Sequence, residues 1–182
     1  MATTLRPFRD YDEKDIINLY TYSGDLPASK GLLVKVAGNG WNSSDEPDEM
    51  LGSPGAAYHN TVSQRYGVVA KVSVAGAGDR PLGLLLFDIK ETDENGELLK
   101  YHPRKAHEME VALSGQAVPI VQRGMFLYSG TQLASETPVG GSALYCGANG
   151  EITTGVASNV QIGVALGSKN SSNDHVLIKL GL

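Results

Sequence analysis

The chain has very little cysteine, the residue that supplies disulfide cross-links. Its 182 residues include one cysteine, Cys146, so no disulfide can form within the chain. A fold held by burial and hydrogen bonds alone fits assembly in a reducing cytoplasm. The residues around it, Ala-Leu-Tyr-Cys-Gly-Ala, are typical of a strand end and predict that Cys146 is a small buried hydrophobe rather than a nucleophile.

Concentrated positive charge and long apolar runs are also absent. The formal net charge is −5, and acids at Glu108 and Glu110 follow the densest basic stretch, residues 100–105. Phosphate binding needs clustered Lys and Arg, so nucleic acid is not an expected partner. The longest apolar run, residues 82–87, is too short to span a bilayer. The opening MATTLRPFRD lacks the apolar core of a secretory signal, and we expect no membrane partner.

The residue patterns of known catalytic or metal sites are missing as well. Residues 107–110, His-Glu-Met-Glu, begin like a zinc-protease helix, but Val111 stands where the second His is needed. Residues 75–83 resemble a phosphate loop, yet Pro81 replaces the third Gly and a strand pattern follows. No metal-ligand spacing links the histidines, His59, His102, His107 and His175. We therefore expect no enzyme activity, no cofactor and no metal; an enzyme is the least favoured of the classes left open.

Glycine and turn signals dominate what is present. The 22 glycines suit many tight turns, and short apolar runs alternate with Gly and Asn-Gly from Val118 to Leu182. This pattern predicts a mainly β fold with a small β-barrel or sandwich body. PLGLLLFDI, residues 81–89, is apolar on both faces and predicts a central strand. Further strands are expected at 32–36, 67–74, 107–113, 118–121, 125–128, 143–146, 160–166 and 176–180, with hairpin turns at Asn95-Gly96 and Asn149-Gly150.

Residues 1–30 are predicted to form an extended arm that carries one short helix, and residues 31–182 the β-rich body. Two β-units, 31–115 and 116–182, are an alternative to a single body. Asp12 can cap a helix in which Ile16, Leu19 and Tyr20 have i, i+3, i+4 spacing. Two turns are unstable alone, so the arm docks either on its own domain or on a neighbouring subunit. The predicted partner-contacting residues lie in the arm and at the start of a long loop, residues 41–66: Arg6, Phe8, Arg9, Tyr11, Tyr20, Tyr22 and Trp41.

Two regions of the chain resemble a known family. The closing VPIVQRG, GSALYCGANGEITTG, IGVAL and VLIKL segments resemble the small β-barrel decoration (cement) proteins of tailed-bacteriophage capsids. The opening RPFRDYDEKDIINLYTYSG and KGLLVKV resemble the arm and first strand of capsid-associated proteins of marine phages and cyanophages. The resemblance implies a virion protein, made in the host cytoplasm, that binds the outer capsid surface, often as a homotrimer. It also implies contacts that stabilise the major capsid protein subunits, and no catalytic residues.

A different class of function stays open beside this one. A carbohydrate- or host-receptor-binding β-module of a virion would need a concave site with exposed aromatic rings. Trp41, Tyr58 and Tyr66, all in residues 41–66, are the candidates for such a site.

Overall fold

A computed structural model describes residues 4–7, 15–38, 40, 70–157, 160–170, 172 and 174–182. The predicted contact residues Phe8, Arg9, Tyr11 and Trp41 lie outside the described residues, as do Asp12 and the whole loop of residues 41–66. Within the described part, the chain is mainly β, as the sequence predicted.

Short strands dominate the described secondary structure. The strands are β1 (Thr4–Pro7), β2 (Ile16–Ile17), β3 (Thr21–Tyr22), β4 (Leu33–Ala37), β5 (Lys71–Val74), β6 (Gly83–Leu85), β7 (Asp88–Ile89), β8 (Val111–Ala112), β9 (Ile120–Val121), β10 (Arg123–Ser129), β11 (Ala143–Cys146), β12 (Ile152–Thr153), β13 (Gln161–Ala165) and β14 (Val176–Gly181). The described helices are α1 (Pro103–Glu108) and α2 (Thr131–Ser135), with 3-10 turns at Leu99–Tyr101 and Ala148–Gly150.

The strands form two larger sheets and one small one. Sheet A has the order β1-β10-β14-β13-β11-β12, and all its pairings are antiparallel. Sheet B has the order β2-β9-β6-β4-β5-β3, and only the β3–β5 pairing is parallel. Strands β7 and β8 pair in parallel as a third sheet.

Sheet B is the middle layer, buried on both faces. In β4, Leu33 packs into the core shared with sheet A, whereas its neighbour Val34 packs into a second core on the opposite side. Successive side chains of a strand point to opposite faces, so this switch places apolar layers on both sides of sheet B. The second core includes Ile89 of β7 and Ala112 of β8, and the third sheet therefore covers the far face. The predicted central strand, residues 81–89, is confirmed only for β6, which lies between β4 and β9; residues 88–89 form β7 of the third sheet instead.

Sheets A and B pack face to face around the larger core. Phe126 and Tyr128 of β10 are fully buried there with Ile178 of β14. Leu33 and Leu84 of sheet B complete the same core. Residues of both predicted units, 31–115 and 116–182, therefore share one apolar interior.

The closing strands are confirmed. The structure has β9, β10, β11, β13 and β14 at the predicted positions, with ends that agree to within two residues. The Asn149-Gly150 hairpin joins β11 to β12, and both turn residues have positive φ, 55° and 71°. Asn95-Gly96 also forms a tight turn, in which the amide of Asp93 donates to the Glu97 carbonyl at 3.0 Å. Asn and Gly tolerate the left-handed region better than other residues, and this region is occupied by both Asn149 and Gly150 and, in the other turn, by Gly96.

The predicted short helix is wrong from Ile16 onwards, and of its described residues only Asp15 is helical, in a 3-10 conformation. Ile16 and Ile17 form strand β2, which pairs antiparallel with Val121 and Ile120 of β9. A two-turn helix gains little by itself, and pairing with a buried strand supplies both hydrogen bonds and apolar contact. The helical spacing of Ile16, Leu19 and Tyr20 is therefore overridden by tertiary pairing.

The predicted strand over residues 107–113 is also wrong in its first half. Helix α1 runs from Pro103 to Glu108, and strand structure begins only at Val111. Pro103 occupies a first-turn position, where the missing N–H costs nothing, and Ala106 is buried against the adjoining 3-10 turn. Alternating Met and Val residues cannot distinguish the end of a helix from a strand by periodicity alone.

The described segments of residues 1–30 dock on the body of the same chain. Strand β1 adds to the edge of sheet A beside β10, and Leu5 is 3% exposed within the larger core. Strands β2 and β3 form the two edges of sheet B. Three strand pairings, rather than one, attach this part of the chain to the sandwich.

Candidate functional site

The single cysteine is part of the core rather than a reactive group. Cys146 is fully buried at the end of β11, and its thiol donates a hydrogen bond to the Gly76 carbonyl oxygen, with an S–O distance of 3.5 Å. Burial raises the pKa of the Cys146 thiol to about 11. A thiol with this pKa remains protonated near neutral pH and is a poor nucleophile.

The Asp93 carboxylate has a structural role. The Asp93 carboxylate accepts hydrogen bonds from the amides of Asn95 and Glu97 and from the Lys105 ammonium of α1. The bond from Lys105 is the main cause that lowers the pKa of Asp93 to about 2. Asp93 therefore connects the Asn95-Gly96 turn to α1.

The described residues contain neither a metal-ligand cluster nor a membrane-spanning helix. In this part of the chain, no three His, Cys, Asp or Glu side chains come close enough to hold a metal ion. Every described helix is too short or too polar to cross a bilayer.

The structure separates the predicted contact residues that it describes. The backbone of Arg6 lies in β1, in register with Leu127 of β10. Tyr20 is partly exposed. Tyr22 is 7% exposed and belongs to the second core, so almost no surface of its ring is available to a partner. The described contact residues therefore do not form one patch.

The outer face of sheet A is a largely apolar surface. Phe126 and Ile178 point into the core, and therefore the residues on either side of them in β10 and β14 point away from sheet B. These and the matching positions of β11 and β13 form the outer face: Arg123, Met125, Leu127, Ala143, Tyr145, Val164, Leu177 and Lys179. The six apolar members are all partly exposed, and none belongs to the buried cores.

Cross-strand register places these residues in two rows. Leu127 lies opposite Leu177, and the amide of Leu166, a residue 41% exposed, donates to the Leu177 carbonyl at 2.7 Å. The second row runs from Met125 through Lys179 and Val164 to Ala143. Partly exposed apolar residues that form contiguous rows are typical of interaction surfaces, whereas isolated ones are common on any protein.

The charge of the outer face differs from that of the whole chain. Lys179 and Arg123 are exposed on it, and none of the strand residues of sheet A is acidic. The chain as a whole has 20 acids against 15 Lys and Arg. The outer face is therefore apolar and cationic on an acidic protein.

A hollow lies in the outer face between β13 and β14. Its volume is about 340 Å³, and it is bordered by Gln161, Val164, Lys179 and Gly181. A Cβ atom at Gly181 would meet no atom within 4 Å, and Gly181 has no positive φ. The missing side chain at position 181 thus leaves room for a projecting group of a partner.

Sequence reasoning did not find this face. The strands were predicted correctly, but their outward residues are apolar too, so periodicity alone does not say which face is covered. The signal that could have indicated this face is the composition of the strands, because all the predicted strands of the closing segment lack Asp and Glu. Comparisons with protein-family models, with curated proteins and with solved structures find no match for the chain.

Proposed function

We propose that the chain is a structural virion protein that binds the outside of a phage capsid and stabilises contacts between major capsid protein subunits. The observation that supports this most is the apolar, cationic outer face of sheet A. The resemblance of the opening and closing segments to capsid-associated proteins supports the same assignment. A face of this kind fits a partner surface with apolar residues and a few carboxylates.

The charge pattern favours a different protein over a second copy on this face. A two-fold pairing of outer faces would bring cations of one copy near the same cations of the other. No strand residue of the face supplies a carboxylate to neutralise them. Self-association into the homotrimer that the resemblance implies would then use another surface, and the outer face would bind the capsid.

Repeated binding sites on the capsid strengthen such a contact. A capsid offers many copies of one site, and a decoration trimer engages several of them together. Linked contacts raise the overall affinity by about 10²–10⁴ without new interactions. A modest outer face is therefore sufficient to hold the protein on a particle.

Co-sedimentation with expanded, undecorated capsids tests the proposal. We expect saturable binding at a fixed ratio to the major capsid protein, weaker at high salt because charges contribute. Lys179→Glu reverses the central charge and should weaken binding about ten-fold, equivalent to about 1.4 kcal/mol. Gly181→Tyr fills the hollow and should also weaken binding. Lys71→Glu, on the exposed part of β5 in sheet B, is the matched control.

The possible outcomes test capsid binding itself and the location of the binding surface separately. A folded wild-type protein that does not sediment with capsids contradicts decoration. Binding that Lys71→Glu, Lys179→Glu and Gly181→Tyr leave equally intact would assign the contact to another face. The alternative function, a carbohydrate- or receptor-binding module, draws its support from a separate groove beside α1.

A further inference from the structure

A groove of about 900 Å³ lies on the side of the third layer, away from the outer face of sheet A. Helix α1 and the 3-10 turn before it form one wall, and the segment from β8 to β9 forms the other. Buried Ala106, Val111 and Ala112 line it. This volume is within the range of clefts that bind small ligands.

One wall presents an exposed aromatic ring. Tyr101 is 65% exposed, the largest fraction among the exposed large hydrophobic residues of the described chain. The Lys100 ammonium lies 5.0 Å from the centre of the Tyr101 ring. A tyrosine ring offers a flat apolar face and a polar hydroxyl, a combination that suits ring-shaped ligands with both C–H and O–H groups.

Apart from Tyr101, the ionisable side chains that line the groove are basic. They are Lys100 and His107, and among the residues that the structure describes no Asp or Glu lines it. The formal net charge of the chain is −5, so this absence of acids is local. An anionic ligand would meet attraction in this groove and little repulsion.

The groove also contains hydrogen-bonding amides. Asn18 and Gln116 line it. The Gln116 Oε1 atom accepts a hydrogen bond from the Leu113 amide at 2.9 Å, which fixes the carboxamide and leaves its Nε2 donor for a ligand. An aromatic platform, basic groups and amides therefore line one cleft.

We infer that this groove binds an acidic saccharide, with a pyranose ring against Tyr101 and its anionic group near Lys100 and His107. An acidic peptide is the less suitable ligand. Peptides that add to a sheet gain affinity from repeated main-chain hydrogen bonds, and the bordering strand β8 has only two residues. The inference does not depend on capsid binding; on a decorated particle, however, many such grooves would bind a glycan-bearing surface multivalently.

Titration of the full chain with defined oligosaccharides tests this inference. Tetragalacturonate supplies carboxylates, a heparin-derived tetrasaccharide supplies sulfates, and neutral galactotetraose is the control. Calorimetry and NMR shift changes would follow binding. We expect at least one anionic probe to bind and the neutral one to bind at least about ten-fold more weakly. Binding of the anionic probe should fall at least ten-fold in both Tyr101→Ala and Lys100→Gln.

Matched variants keep the result interpretable. Tyr101 is exposed, so Tyr101→Ala should keep the wild-type melting temperature. Lys179→Gln removes a cation of the outer face and should leave saccharide affinity unchanged, whereas Tyr101→Ala should leave capsid co-sedimentation unchanged. No binding of either anionic probe at millimolar concentration overturns the inference. Saccharide binding that survives both groove variants, or a glutamate octapeptide that binds the groove more tightly than both anionic probes, also overturns it.

Discussion

Leu5→Ala tests whether the first described strand is part of the body. Leu5 is 3% exposed and packs in the larger core with residues of both sheets. The substitution removes roughly three methylene equivalents, about 2.4 kcal/mol of transfer free energy. A residual cavity would add to this, as in other buried Leu→Ala changes of about 2–5 kcal/mol. Because β1 lies at the edge of sheet A, where neighbours can relax, we expect a loss of about 2–3 kcal/mol.

Urea unfolding followed by far-UV circular dichroism measures this loss. The midpoint should fall while the denaturant slope stays constant, and the melting temperature should drop by about 4–12 °C. Leu19→Ala is the control, since Leu19 is 45% exposed and should change the free energy of unfolding by less than about 0.5 kcal/mol. If Leu5→Ala is as mild as Leu19→Ala, β1 does not stabilise the sandwich, and an arm that binds another subunit becomes the better description.

Two further changes test the middle layer and the turn before α1. In Gly83→Ala, the new Cβ would lie 2.4 Å from the Val121 carbonyl oxygen, so β6 and β9 must separate. We expect the free energy of unfolding, measured in urea, to fall by about 1–3 kcal/mol. An unchanged free energy of unfolding would contradict the close approach of these strands. The pKa of Asp93 is lowered from 3.8 to about 2 in the folded chain, so its stabilisation is complete above about pH 4 and is lost as the pH falls towards 2. The difference in melting temperature between wild type and Asp93→Asn should therefore be largest near pH 7 and shrink below pH 4, and a difference that does not change with pH would contradict this role of Asp93.

The sequence predicted the closing sheet well because its signals are local. Each strand from Val118 onwards is a short apolar run, and Asn149-Gly150 marks its hairpin with residues that accept positive φ. Strands β1 and β2 could not be predicted in this way. They have four and two residues, and their partners Ser129 and Val121 lie more than a hundred residues further along the chain.

The candidate surfaces were harder to predict because they depend on register and on distant segments. The outer face becomes apparent only when Leu127 is placed opposite Leu177 and Lys179 opposite Val164. The groove combines Asn18 with residues from 87 to 119. Tyr101 was not singled out, since its neighbours in the sequence are polar and its exposure follows from a 3-10 turn that no pattern indicated.

The position of β10 has a consequence for the order of folding. It lies between β1 and β14, so β10 pairs with segments from opposite ends of the described chain. During synthesis, β1 emerges long before β10 exists, and sheet A stays incomplete until β14 has left the ribosome. Contacts between distant segments slow folding and lengthen the time for which apolar strands are exposed. Refolding of this chain should therefore be slow for its size, and yields should improve at low protein concentration.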